Sequence, residues 1–319
     1  MTKILVTGGA GFIGSHTTQA LLDRGDEVIC LDNFNDYYDP QRKYKNAALF
    51  VGRPGYTLIE GDIRDQDTLE TLFEAHQPRR VIHIAAMAGV RYSIRHPELY
   101  ESVNVRGTLN ILELARRYEI ENMAFASSSS VYGARQKVPF SEDDRVDTPV
   151  SPYAATKRAA ELLCYTYHHL YGLNVTALRF FTVYGPRGRP DMSPYLFTEA
   201  VFRGTELKRF GDGSTLRDYT YIDDIVQGVV AAVDRPLGYE IINLGNSQPI
   251  LLRDYIALVE KLVGKRANVV QYPMPSGDVP RTFADISKAR RLLDYDPQMP
   301  FEKGMARFVS WYRTEVAQE

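Results

Sequence analysis

Short apolar runs and longer helical stripes alternate along the first 180 residues of this 319-residue chain. The runs Ile4–Val6, Val28–Leu31, Leu58–Ile59, Val81–Ile84, Met123–Ala126 and Val175–Leu178 read as strands buried on both faces of a parallel sheet. Between them lie helix-length segments. Phe12 through Arg24 is the first, stopped by Gly25. This alternation predicts the α/β class: a doubly wound, Rossmann-like parallel sheet that gathers its ligands at the carboxyl ends of the strands. Beyond about residue 180 the pattern loosens into Pro- and Gly-rich stretches, Tyr184–Pro190 and Phe210–Gly213. It resumes with a helix from Asp223 and a strand at Glu240–Leu244. The expected division is therefore a first domain, 1–180 with 218–245 returning to it, and a smaller, partly interleaved region, 181–217 with 246–319.

Composition narrows the partners. Hydrophobic residues at 44% are enough to fill a core, and a net charge of −2 gives no field suited to nucleic acid or an anionic membrane. Small molecules or copies of the chain are expected instead. Cys30 and Cys164 stand alone in apolar segments and read as buried thiols. The six histidines, at 16, 76, 83, 96, 168 and 169, show no ligand spacing, so no metal is expected, and the adjacent His168 and His169 read as a helix surface pair. No apolar run approaches a membrane span, and Met1–Lys3 leads straight into a core strand, which makes a cytoplasmic location the default.

The turn after the first strand carries Gly8, Gly11, Phe12, Ile13 and Gly14. Glycine is needed there because a Cβ would keep a pyrophosphate from the helix N-terminus, whose free amides and dipole favour anions. Asp32, with Asn33 beside it, falls 18 residues beyond Gly14 at the end of the second strand. A carboxylate there accepts both ribose hydroxyls and repels a 2′-phosphate, so the expected cofactor is NAD rather than NADP. Asp62 and Ile63, placed at the end of the third strand, suit the adenine edge; Ala85 and Ala86, ending the fourth, offer small residues beside the cofactor. Lys43 reads equally as a ligand of the cofactor phosphates or as an exposed lysine.

Tyr153 and Lys157 stand four residues apart, one turn along one helix face, behind Ser151 as N-cap and Pro152 at the first helical position. Moving a phenol from a pKa of about 10 toward about 7 takes roughly 4 kcal/mol, about what one ammonium at about 4 Å supplies at an effective dielectric near about 20. Lys157 is the expected source. The bare pair is a weak signal in a chain with 21 tyrosines. Its setting strengthens it: Ser128, in the run Ser127–Ser130 ending the fifth strand, offers a hydroxyl to share the substrate proton with Tyr153.

Together with the stretches Asp32–Pro40, Ala86–Arg91, Arg179–Pro186, Arg189–Met192 and Arg217–Asp224, these motifs resemble the extended short-chain dehydrogenase/reductase family of nucleotide-sugar enzymes over essentially the whole chain. The likeness is strongest to its UDP-glucuronate 4-epimerases. That resemblance implies Ser128, Tyr153 and Lys157 as the catalytic set, with Lys157 also on the nicotinamide ribose and Asn104 near the cofactor. It implies Arg217 and Arg281 on the substrate diphosphate and Phe210 beside the uracil. It further implies a homodimer paired through helices at roughly 100–117 and 153–171.

The residues after the catalytic serine bear on the sugar. Related dehydratases and decarboxylases resemble Asp-Glu or Ser-Glu there, whereas this chain has Ser129 and Ser130. Hydroxyl donors welcome a carboxylate that an acid would repel, so Ser129, Ser130 and Thr182 are the expected cradle, assisted by Arg189 or Arg91. Thr182 stands where UDP-glucose 4-epimerases usually resemble Asn. Many glucuronate epimerases resemble Trp where Arg187 stands, a departure that bears on substrate breadth. The expected reaction is C4 epimerisation of UDP-glucuronate to UDP-galacturonate through a 4-keto sugar that rotates and is re-reduced. The competing readings are a UDP-glucose or UDP-N-acetylhexosamine 4-epimerase, a UDP-glucuronate decarboxylase and a non-catalytic NAD-sensing module.

Overall fold

Residues 2–274 and 281–317 are described by a computed structural model. The first half runs β1 (Lys3–Thr7), α1 (Phe12–Arg24), β2 (Glu27–Asp32), α2 (Gln41–Ala48), β3 (Tyr56–Glu60), α3 (Gln66–His76) and β4 (Arg80–His83). Two short helices follow, α4 (Val90–Arg95) and α5 (Pro97–Tyr100), then a π-helical segment, Glu101–Arg106, that leads into α6 (Gly107–Arg117). After β5 (Asn122–Ser128) a 3₁₀ turn at Ser129–Tyr132 precedes α7 (Pro152–Tyr171) and β6 (Val175–Phe180). The remainder is β7 (Thr182–Tyr184), α8 (Ser193–Arg203), β8 (Glu206–Phe210), β9 (Leu216–Tyr221), α9 (Ile222–Asp234), β10 (Tyr239–Leu244) and β11 (Pro249–Leu251). It closes with α10 (Leu252–Val263), β12 (Asn268–Tyr272), β13 (Arg281–Thr282), α11 (Ser287–Leu293) and α12 (Phe301–Glu315).

The apolar runs pair in parallel into one seven-stranded sheet, ordered β10-β6-β5-β4-β1-β2-β3. Successive side chains in a strand point to opposite faces. Ile4 and Val6 accordingly join the core on one face, while Leu5 joins Ile29, Leu31 and Phe73 on the other. β3 is the exception to the expected double burial. It lies at the sheet edge, paired only to β2, and leaves Leu58 at 37% exposure. Strand order reverses between β1 and β4, which opens a crevice at their carboxyl ends.

Apart from β10, the strands after residue 181 build smaller sheets. β9 pairs with β11, β13 and β7, and β12 pairs with β8. The first of these sheets abuts the large one because β7 follows β6 after a single residue, Phe181.

Candidate active site

The crevice is a cavity of about 390 Å³ lined from both halves of the large sheet. At one end the chain leaves β1 through Gly8, with φ at +69° and an ideal Cβ 2.8 Å from the Ala85 amide nitrogen. Gly14 is tighter: a Cβ there would stand 2.0 Å from the Gly8 carbonyl oxygen. Side chains at either position would force backbone apart. α1 begins at Gly11 without a side-chain cap and without an acid in its first turn, so its leading amides are unclaimed by side chains. Gly11, Phe12 and Ile13 line the cavity there, and Ala85 and Ala86 form the facing wall. This is a cradle of the size and polarity a dinucleotide pyrophosphate requires.

Asp32 and Asn33 line the far end of the same cavity. The Asp32 carboxylate accepts from the Phe34 amide at 3.0 Å and the Ala10 amide at 3.2 Å. Burial raises its pKa, against the pull of the Lys43 charge and those amides. Lys43 is buried rather than a surface lysine, with Nζ donating to the Asn35 carbonyl and Oδ1 at 2.9 and 3.0 Å and lying 5.1 Å over the Tyr38 ring. Lys43, Asn46 and Ala47 are the buried residues of α2, a three-and-four stripe visible in the sequence that marks Lys43 as inward. Asp62 is displaced from its expected place. β3 ends at Glu60, Ile63 lines the cavity, and Asp62 instead accepts from Arg64 Nη2 at 2.7 Å and Asn33 Nδ2 at 2.9 Å.

At the other end stand Ser128, Tyr153 and Lys157, brought together from β5 and α7. Ser151 Oγ caps α7 by accepting from the Ala154 amide at 3.1 Å, and Pro152 follows at the first helical position. Lys157 Nζ donates to the Ala126 carbonyl at 2.7 Å and lies 5.1 Å over the Phe125 ring. Burial lowers its pKa to about 8. Burial pushes the Tyr153 phenol upward, and what opposes that is the Ser128 hydroxyl and the Arg189 charge. In this arrangement the Lys157 ammonium is turned onto a strand carbonyl, one helical turn from the phenol.

Ser129, Ser130, Thr182 and Arg189 also line this end. Arg189 is held by Asp191, its Nε at 2.9 Å and Nη2 at 2.5 Å, and lies 5.5 Å over the Tyr37 ring. Tyr37, a wall residue the sequence reading did not single out, donates to the same carboxylate at 3.0 Å. Asn104 stands behind the wall instead of in it. Its amide takes both Met87 backbone groups, at 2.8 and 2.9 Å, and donates to Thr156 Oγ1 at 3.1 Å, tying the loop after β4 to α7.

Four expected substrate residues stand outside the cavity. Arg91 lies 4.9 Å over Phe210. Arg217 donates from Nη1 to the Leu216 carbonyl, and Arg281 is exposed on β13, where Arg281 and Thr282 face Leu216 and Arg217 of β9. Cys30 and Cys164 are free and buried, as expected. His168 is half-buried, its Nδ1 3.0 Å from the Leu173 carbonyl, which closes the helix end and corrects the surface-pair expectation.

An uncapped helix behind a glycine turn, a strand-end carboxylate and a Tyr–Lys pair in one crevice define a doubly wound enzyme built around a dinucleotide. Residues 4–245 match the NAD dependent epimerase/dehydratase family, and the chain belongs to it. It is similar to the UDP-glucuronate 4-epimerase of Thermodesulfobacterium geofontis, 47% identical over 317 residues that cover 99% of this chain and 98% of that one. Among solved structures it matches the UDP-glucuronic acid 4-epimerase from Bacillus cereus in complex with UDP-glucuronic acid and NAD. That match has a TM-score of 0.92 at 36% identity and covers 98% of this chain and 99% of that one. It also matches a UDP-glucose 4-epimerase from Thermotoga maritima with UDP-glucose, at a TM-score of 0.89 and 33% identity, over 98% and 99% of the two chains.

Proposed function

We propose that this chain is an NAD-dependent UDP-glucuronate 4-epimerase, interconverting UDP-glucuronate and UDP-galacturonate. One observation carries the choice of sugar. Among the described residues lining the cavity, Asp32 is the only acid, and it stands at the adenosine end; the end beside Tyr153 offers Ser129, Ser130, Thr182 and Arg189. A carboxylated sugar meets hydroxyl donors there with no acid in the wall, and Arg189 adds a guanidinium whose Nε and Nη2 hold Asp191 outside the lining.

The cavity fits the cofactor. The Gly8–Gly14 turn and the α1 amides would hold its pyrophosphate, Asp32 and Asn33 its adenosine ribose, Ile63, Ala85 and Ala86 its flanks, and Lys157 its nicotinamide ribose. NAD supplies a hydride acceptor for C4 of the sugar and the donor for the return step. Tyr153, acting as phenolate, takes the proton of the 4-hydroxyl, with Ser128 sharing it, and gives it back once the 4-keto sugar has turned about its bond to the diphosphate. Arg217 and Arg281 anchor that diphosphate, and Arg91 and Phe210 border the uridine end. The keto sugar is a β-keto acid, which loses carbon dioxide when its carboxylate bond aligns with the carbonyl π system. Ser129, Ser130 and Thr182, assisted by Arg189, fix the carboxylate out of that alignment.

Two coarser features follow the same reading. Residues 1–180 with 218–245 form the cofactor unit and 181–217 with 246–319 the substrate unit; Met1, 275–280 and 318–319 lie outside the described residues. The protein acts in the cytoplasm as a homodimer, joined through α6 and α7, the latter exposing Leu162, Tyr165, Leu170 and Tyr171. No described helix is long and apolar enough to cross a membrane. Light scattering and cell fractionation test these assignments.

The decisive assay incubates the purified protein with UDP-glucuronate and separates the products. UDP-galacturonate without carbon dioxide is expected. Faster inversion of UDP-glucose, or release of a UDP-pentose as main product, overturns the proposal.

A further inference from the structure

Glu161 is wholly buried on α7. Steps of four bring Tyr153, Lys157 and Glu161 into one stripe of that helix. The Glu161 carboxylate takes four donors. Oε1 accepts from Ser127 Oγ at 2.6 Å and Arg179 Nε at 2.8 Å. Oε2 accepts from Arg179 Nη2 at 2.9 Å and Arg158 Nη1 at 3.0 Å. Ser127 and Arg179 are partners in the β5–β6 ladder, so one carboxylate fastens α7 to both strands beside Ser128. Tyr239 of β10 adds a further tie, donating to the Glu161 backbone carbonyl at 2.9 Å.

None of these groups touches the proposed chemistry, and a buried ion pair is weak evidence for stability, since apolar residues of similar volume often serve as well. Its placement one turn beyond Lys157 offers another reason. Lys157 is 3% exposed, and burial is the main influence lowering its pKa to about 8. The groups facing it are few. From β4, His83 is buried and held neutral, its pKa lowered to about 3 by burial and by the Lys157 charge. From β5 come only the Ala126 carbonyl and the Phe125 ring. On α7 itself, burial pushes the Tyr153 phenol upward and raises the Cys164 thiol so far that it is neutral. Glu161 remains charged. Burial works against that charge, but Arg179, Ser127 and Arg158 overcome it.

We propose that Glu161 is a positioning residue for the catalytic set: it fixes α7 against β5 and β6 and so holds the Lys157 ammonium on the Ala126 carbonyl. This rests on the reading of Tyr153 and Lys157 as catalytic.

Glu161→Gln alone leaves Arg179 buried without a counter-ion and threatens folding. The informative variant is therefore Glu161→Met with Arg179→Met, which removes both charges together. NAD binding should stay within about twofold of wild type, while kcat for UDP-glucuronate falls about tenfold or more at neutral pH. With α7 unfastened the Lys157 ammonium loses its Ala126 acceptor and gives up its proton at lower pH, so the basic limb of the kcat–pH profile should move down by about half a unit or more. Ser127→Ala keeps the Glu161–Arg179 tie, and its limb should stay where wild type has it. A double variant with unchanged kcat, or with kcat reduced equally at every pH, overturns the proposal, as does a limb that moves in Ser127→Ala. Wild-type turnover is the control throughout: its failure strikes the functional reading, whereas an unmoved limb in an active double variant strikes only the role of Glu161.

Discussion

The cofactor end and the substrate end of this protein are built to different tolerances. At the cofactor end backbone touches backbone, with Gly14 leaving no room for a methyl group and the walls drawn from buried parallel strands. At the substrate end the expected diphosphate and uridine residues, Arg217, Arg281, Arg91 and Phe210, stand on short strands and the short helix α4, outside the cavity. A cofactor that is restored in each cycle can be held by a rigid frame. A sugar that must enter, turn and leave needs side chains that reach it from a margin able to move.

Substitutions at the two ends should break this contrast or sharpen it. Gly14→Ala should have the largest effect, because the displaced atoms are backbone; no NAD should be retained after gel filtration, by absorbance or enzymatic assay. Retained cofactor would mean the rigid end yields. Tyr153→Phe should keep NAD and lose about 10³-fold in kcat, the scale of a general base, with rapid-mixing absorbance showing no NADH forming. Arg217→Met or Arg281→Met should raise KM about 10- to 100-fold, as expected for a charged hydrogen bond to phosphate, and leave NAD affinity unchanged in titration calorimetry. An equal loss of NAD affinity would erase the distinction between the ends. Thr182→Ala with Ser130→Ala should raise the UDP-pentose fraction of the products a few-fold by chromatography, at about the wild-type total rate. The smallest effect belongs to Asp62. Burial opposes its charge, and Arg64 and Asn33 more than compensate, setting its pKa at about 2. The depressed value stabilises the fold above about pH 4 and is lost as pH falls toward 2. Asp62→Asn should therefore flatten acid unfolding over that interval by less than ~1 kcal/mol.

Legibility in the sequence followed the same division. The bounds of α1 were readable because Gly11 and Gly25 mark both ends, and Ser151–Pro152 announced α7. Local signals suffice where structure is local. β7, β9 and β13 were not readable, being two to six residues long and stabilised by partners far along the chain. β3 read as buried because its apolar run says nothing of sheet order, and edge position is a property of topology. The Glu161–Arg179 pair ran against the expectation that charges lie outside, so only the fold could reveal it. Ser128, Tyr153 and Lys157 were legible as a set, but the direction of the Lys157 ammonium was not, since it depends on which strand carbonyl lies nearest.

The π-helical turn at Glu101–Arg106 carries one more lesson for anyone altering this chain. A π turn holds an extra residue compared with an α turn, and the ordinary helices α5 and α6 continue on either side of it. Deleting a single residue there would let the helix heal into regular winding with its flanks in register, while the residues inside the turn change the face they present. Such a shortened protein would look better ordered by circular dichroism, yet its Asn104 amide would swing off Met87 and release the loop that roofs the crevice.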